Sequence, residues 1–153
     1  MINYIIDGNN LIGKIKSLMD IQRKGDKQSS REKLVLLLDR YFSNKKNSVT
    51  LHLDGFENDK INSSSSKIIY SQKLTADEKI KNQIEHSSSR KNIIVITSDN
   101  NIAEFARVCG CKVISSVEFA SMIKNLKQED AEENRIKQIN NDEFIKAWTK
   151  QDD

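Results

Sequence analysis

The sequence predicts an α/β domain with a central, mainly parallel sheet and helices on both faces. Two observations lead there. Strand-length apolar runs alternate with helical patterns in the order strand, helix, helix, strand, strand, helix, strand, helix, strand, helix. Alternation of this kind implies parallel strands joined by crossover helices. Three of the apolar runs also end in the same chemistry, at Asp7-Gly8, Asp54-Gly55 and Asp99-Asn100. In an open α/β sheet, the loop past a strand's carboxyl end is where ligands bind.

The first strand is Ile2-Asn3-Tyr4-Ile5-Ile6, followed by Asp7-Gly8-Asn9-Asn10 and a short helix over 11–19. Residues 20–28 are polar, contain Gly25 and read as a loop. Ser29-Ser30-Arg31-Glu32 has the capping-box pattern. Behind it Leu34, Val35, Leu37, Leu38, Tyr41 and Phe42 recur at helical spacing to about residue 43. Val49, Leu51 and Leu53 alternate with Thr50 and His52 in a second strand, and the serine-rich stretch 57–66 reads as a mobile loop.

A third strand is predicted over 67–70, and Thr75-Ala76-Asp77-Glu78 forms another capping box that opens a helix to about His86. Residues 92–97 are nearly all apolar, as in a strand buried on both faces. Ser98-Asp99-Asn100-Asn101 interrupts them before a helix carrying Ile102, Ala103, Phe105 and Ala106, which Gly110 terminates. A last strand covers 112–115 and a last core helix 117–126. There is no internal repeat.

At 153 residues, the chain fits one domain with a single core. It has no apolar run of membrane-spanning length and no leader pattern, so a soluble cytoplasmic protein with no membrane partner is expected. Cys109 and Cys111 flank Gly110; one such pair fits neither a disulfide framework nor a zinc site, and buried thiols are expected. The net charge of +3 hides an asymmetry. Residues 1–127 hold 21 basic and 14 acidic side chains, a net +7, whereas 128–153 hold four basic and eight acidic ones, a net −4. The domain is therefore expected to end near residue 127, with an acidic, partly helical tail over 128–153. A basic body suits a polyanionic partner, nucleic acid being the commonest.

If the strands are parallel, all their carboxyl ends share one edge, and the helices that follow start there. Asp7, Asp54 and Asp99 would then meet Asp77, in the first turn of its helix, at one crevice. Hard cations such as Mg²⁺ take oxygen ligands, commonly one or two carboxylates completed by water and phosphate. A pair of such ions ~3.5–4 Å apart can activate a water and stabilise the leaving oxygen of a phosphodiester. Without a cation, clustered aspartates raise one another's pKa values. The bland alternative is that each aspartate caps a helix or sits in a turn, and at Asp54 and Asp77 the two readings weigh equally.

Ile5-Ile6-Asp7-Gly8-Asn9-Asn10-Leu11-Ile12 resembles the opening of the NYN domains, a branch of the PIN-like nucleases, and most closely their YacP-like bacterial group. The similarity continues through Arg31-Glu32-Lys33-Leu34, Leu53-Asp54-Gly55, Thr75-Ala76-Asp77, Val95-Ile96-Thr97-Ser98-Asp99 and Val113-Ile114-Ser115-Ser116-Val117-Glu118-Phe119, about residues 2–126. The resemblance implies a PIN-like three-layer fold and metal-dependent endoribonuclease chemistry. It implies that Asp7, Asp77 and Asp99 hold Mg²⁺ or Mn²⁺, with Asp54 either a further ligand or a residue acting from behind the ligands. Asn10 would orient water, metal or the loop. One departure is Asn9, where the family often has an aromatic.

Arg31 offers a bidentate phosphate clamp, with a solvated arginine as the equal alternative, and Ser98, Asn100 and Lys14 join it as candidate substrate contacts. His52 and His86 are spaced for neither metal nor triad chemistry. The expected activity is therefore hydrolysis of RNA, in mRNA decay or RNA processing, with ribosome association open and no preference for DNA. The alternative is an RNA-binding module of the same fold with little catalysis. A haloacid-type phosphatase using Asp7 fails at Asn9, where that mechanism needs a second aspartate. In the tail, Phe144, Ile145 and Trp148 share a helical face behind Asp142, a predicted cap, and Trp148 would anchor that helix on the body or on a partner.

Overall fold

The computed structural model describes residues 1–151, with side chains described through Leu126 and at Glu132, Glu133, Arg135, Ile136, Gln138, Ile139 and Asn140. The chain divides into two units, Met1–Ser121 and Met122–Asp153. The first unit holds a five-stranded, all-parallel sheet with the order β3-β2-β1-β4-β5. Its strands are β1 (Ile2–Asp7), β2 (Asn47–Leu53), β3 (Ser66–Tyr70), β4 (Ile93–Ile96) and β5 (Lys112–Ile114). The helices are α1 (Gly8–Ile12), α2 (Lys16–Arg23), α3 (Lys27–Tyr41), α4 (Ala76–Glu85), α5 (Asn100–Val108) and α6 (Ser116–Gln151).

β1 is central, and strand order reverses beside it: β2 and β3 lie on one side, β4 and β5 on the other. The carboxyl ends of β1 and β4 therefore border the crevice where such sheets take their ligands. Alternation along β1 sends Ile5 to one face and Tyr4 to the other. Ile5 packs with Ile80 and Ile84 of α4, Ile93 and Val95 of β4, and Ile102 and Ala106 of α5. On the opposite face the rings of Tyr4, Tyr41, Phe42 and Phe119 pack tilted, edge to face or stacked, with neighbouring centroids 4.9 to 6.2 Å apart.

Several predicted boundaries move. The helix expected over 11–19 is two, because α1 starts directly at Gly8 and stops before Gly13. Gly8 permits that early start. A Cβ there would lie 2.6 Å from the His52 carbonyl oxygen and under 3 Å from the Leu53 and Leu51 side chains. The expected loop 20–28 holds the end of α2, and α3 begins a turn earlier than Ser29 implied. Its cap is Asp26, whose Oδ1 accepts from the Ser29 backbone N–H at 3.0 Å. Glu32 thus lies inside the helix, where Gln28 donates to it at 3.0 Å. The capping box at the start of α4 forms as read, Thr75 Oγ1 accepting from the Glu78 N–H at 3.2 Å.

The serine tract is tethered. Asp39 on α3 accepts from the Ser63 hydroxyl at 2.6 Å and from the backbone N–H groups of Ser64 and Ser65 at 3.2 and 3.1 Å. Cys109 and Cys111 are free thiols, Cys111 buried, and burial pushes its pKa up. The second unit continues α6, which runs unbroken through Asp142, so that residue is no cap. Ile136 and Ile139 are exposed on it. The side chains of Phe144, Ile145 and Trp148, and with them the predicted anchor, lie outside the described residues. Among the described residues no helix is long and apolar enough to cross a membrane.

Candidate active site

Asp7 closes β1 and is 6% exposed. Its backbone is extended, as at a helix N-cap. Thr97, at the end of β4, donates its hydroxyl to Asp7 Oδ2 at 3.0 Å. The same Thr97 oxygen accepts from the Asp99 backbone N–H at 3.0 Å, so one hydroxyl fixes two of the candidate acids. Burial pushes the Asp7 pKa from 3.8 up to about 6. The Thr97 hydroxyl and the Asn10 backbone N–H pull against that rise, while the charges of Asp54 and Asp99 add to it.

Asp99 is the N-cap of α5: its Oδ1 accepts from the N–H groups of Asn101 and Ile102 at 2.9 and 3.3 Å. It is exposed, at a strand-to-helix turn. Asp54 follows β2 and reaches across to α4, accepting from the Ala76 N–H at 2.9 Å. Asp54 and Asp99 each bond the N-terminus of a helix, and their charges also act on Asp7. Asp77, in the first turn of α4, is paired locally. Lys81 lies 3.0 Å from its Oδ1, one helical turn along, and the buried Oδ1 completes no hydrogen bond. Among the described residues, no three His, Cys, Asp or Glu side chains stand close enough to form a ready metal cage.

The profile of the YacP-like NYN domain matches residues 4–152. This chain belongs to the YacP-like NYN domain family. The match runs through α6, well beyond the stretch 2–126 that carries the motif resemblance. Among solved structures, Rae1 (YacP) from Bacillus subtilis has a TM-score of 0.73 at 24% identity, covering 91% of this chain and 82% of that one. A tryptophan-to-leucine variant of the same Bacillus subtilis protein gives 0.71 at 23% identity, covering 91% and 84%. These likenesses are of fold. No curated protein matches the chain.

In this NYN site Asn10 works inward. Its Oδ1 accepts from the Ser98 N–H at 2.8 Å and from the Ser116 hydroxyl at 2.6 Å, and Ser98 Oγ in turn accepts from the Ser116 N–H at 2.9 Å. The loops after β4 and β5 are thereby tied to the loop after β1. Ser98 is half-buried and spent on this network, whereas Asn100 and Lys14 are exposed. Arg31 corrects both of its readings, because it is neither solvated nor offered to a phosphate. It is 2% exposed, its Nη1 and Nη2 donate to the carbonyls of Phe56 and Asp54, and its guanidinium lies 5.5 Å from the centre of the Tyr70 ring.

His52 is buried with Nε2 2.7 Å from Gln83 Oε1, and burial holds its pKa below the usual value, so it is a neutral structural residue. His86 is exposed, its Nδ1 bonded to the Asn82 carbonyl at 2.7 Å. Thr97 and Ser116 are the positioning residues that motif reading passed over. Their only signal in the sequence was a hydroxyl beside each loop, at Thr97-Ser98-Asp99 and Ser115-Ser116.

The donor set fits a hard divalent cation in kind, since Asp7, Asp54 and Asp99 offer carboxylate oxygens. Asp7 also has the property expected of an acid that a cation would relieve, a pKa raised by burial and by its acidic neighbours. A three-ligand cage is not required, because Mg²⁺ commonly takes one or two carboxylates and keeps several waters.

Proposed function

We propose that this chain is a metal-dependent endoribonuclease that hydrolyses RNA phosphodiester bonds. One observation carries the reading: a buried carboxyl, Asp7, sits at the topological switch point with its pKa raised to about 6, partly by Asp54 and Asp99. Asp7 and Asp99 would hold the metal, with Asp54 at the rim. Asp77, paired with Lys81 in the metal-free protein, would be the further ligand. Mg²⁺ or Mn²⁺, when bound, supplies a polarised phosphate and an acidified water. Thr97 holds the Asp7 carboxyl in place, Asn10 holds the two loops that carry Asp99 and Ser116, and Asn100 and Lys14 face the incoming backbone.

RNA is favoured as the polyanion by the family and by the net +7 of residues 1–127. A cytoplasmic role in mRNA decay or processing, alone or on the ribosome, is in keeping with that substrate. In a second reading the same basic body binds RNA in the crevice without cutting it. Incubation of a generic RNA with the protein and Mg²⁺ or Mn²⁺, against a chelator control, separates the two. Internal cleavage only with metal supports the enzyme, and retention without cleavage supports the binding module.

A further inference from the structure

Just past β2, residues 54–56 form a loop whose backbone is tied down almost completely. The Asp54 N–H donates to Asn9 Oδ1 at 3.0 Å, and the Asp54 carbonyl accepts from Arg31 Nη2. The Gly55 N–H donates to Ser71 Oγ at 2.8 Å, and the Gly55 carbonyl accepts from the Gln72 N–H at 2.7 Å. The Phe56 carbonyl accepts from Arg31 Nη1 at 3.2 Å. Gly55 has φ +84°, the left-handed conformation that turns the chain here.

On this fixed backbone Phe56 is 60% exposed, the only exposed Phe, Tyr or Trp among the described residues. Single exposed apolar residues are ordinary, so exposure alone says nothing. What distinguishes Phe56 is its place, two residues from Asp54, on a loop whose ordering cost is met by folding. A cleft of about 340 Å³ adjoins it, lined by Glu57, Lys60, Asn62, Ile68 and Tyr70 among others. Tyr70, in the cleft wall, lies against Arg31, which in turn holds the Phe56 carbonyl. A rigid aromatic beside a cleft with a lysine and an amide offers what a single nucleic acid strand uses, a face for stacking and polar groups for the neighbouring nucleotide.

We propose that Phe56 is a base-stacking platform that holds one unpaired nucleobase of the substrate beside Asp54, with the adjoining cleft receiving the next nucleotide. The inference rests on the nuclease reading and adds a residue that sets where the strand lies. A pre-ordered platform stacks a base at little entropic cost. Any of the four bases would serve, because each has a π-face, but a base held in a duplex would not.

The test compares the parent protein with Phe56→Ala, Phe56→Leu and Phe56→Trp, all checked for unchanged melting, on single-stranded RNA with Mn²⁺. Phe56→Ala is expected to raise KM about tenfold, with kcat altered by less than about twofold. Phe56→Trp should restore KM and Phe56→Leu should not. The same ranking is expected for RNA affinity in the Asp7→Asn background, where no cleavage interferes. A parent that cleaves alongside a Phe56→Ala variant with the same KM overturns the stacking role alone, as does a leucine variant that performs like tryptophan. A parent that fails to cleave RNA overturns the nuclease reading instead.

Discussion

Thr97 donates its hydroxyl to Asp7 Oδ2 at 3.0 Å while accepting the Asp99 backbone N–H at the same distance. One side chain at the end of β4 thus sets the spacing of two acids from different strands. Thr97→Val keeps the shape and removes both bonds, leaving the Asp99 N–H and Asp7 each short of a partner. The expected cost is about 1–3 kcal/mol of stability, together with a further rise in the Asp7 pKa, because the hydroxyl lowers it. Chemical denaturation and NMR titration of the carboxyl would measure both. An Asp7 pKa unchanged by the substitution would contradict the assignment.

The raised Asp7 pKa gives a stability difference with a definite sign. The folded carboxyl titrates near 6 and the unfolded one near 3.8, so between those values the native state binds more protons. Stability therefore falls as pH rises through that window, and the penalty is complete above about pH 6, on the order of 3 kcal/mol for the metal-free protein. Asp7→Asn is expected to remove most of it. The variant should be more stable than its parent at pH 7.5 in chelator, and the gap should close toward pH 4. Added Mg²⁺ should stabilise the parent more than the variant. Equal stabilities at pH 7.5 would show that burial does not burden Asp7.

Asn10→Ala removes the acceptor of the Ser98 N–H and of the Ser116 hydroxyl. A loss of about 1–3 kcal/mol is expected, with faster amide exchange at Ser98 and Ser116. Activity should fall through kcat, since the loop carrying Asp99 is loosened. Unchanged exchange at both amides would overturn the positioning role.

RNA affinity should fall steeply with salt if residues 1–127 track a phosphate backbone, because each contact releases counterions. Binding measured from 50 to 200 mM salt, with the Asp7→Asn variant to prevent cleavage, reports this slope. A flat dependence would place the binding elsewhere than on the basic body.

Much of this fold was legible because strands and helices announce themselves by period. The five strands fall where alternation or apolar runs place them, and Thr75 with Glu78 closes its capping box. Helix starts were harder. α1 begins at Gly8, where β2 passes too close for any Cβ, a tertiary fact with no local signature. Ser29 and Glu32 matched a capping box, yet Asp26, three residues earlier, claims the Ser29 N–H and starts α3. At the site, Asp7, Asp54 and Asp99 follow strands whose carboxyl ends share one edge, and the charges of Asp54 and Asp99 act on Asp7. Arg31 could not be read from sequence, because its carbonyl partners at Asp54 and Phe56 are 23 and 25 residues away. Asp77 shows the reverse: a motif residue at the right edge whose charge Lys81 answers locally.

The central claim is that Asp7 and Asp99 serve one metal-dependent cleavage, and the most direct measurement is RNA hydrolysis in Mn²⁺ by purified Asp7→Asn and Asp99→Asn. Each substitution keeps side-chain size and removes a ligand charge. Loss of a residue that merely orients a ligand costs 10–100-fold, so loss of a ligand should lower cleavage by more than about a hundredfold. Both variants should melt no lower than about 2 °C below the parent and retain RNA binding. Near-parental cleavage by either folded variant would contradict the account.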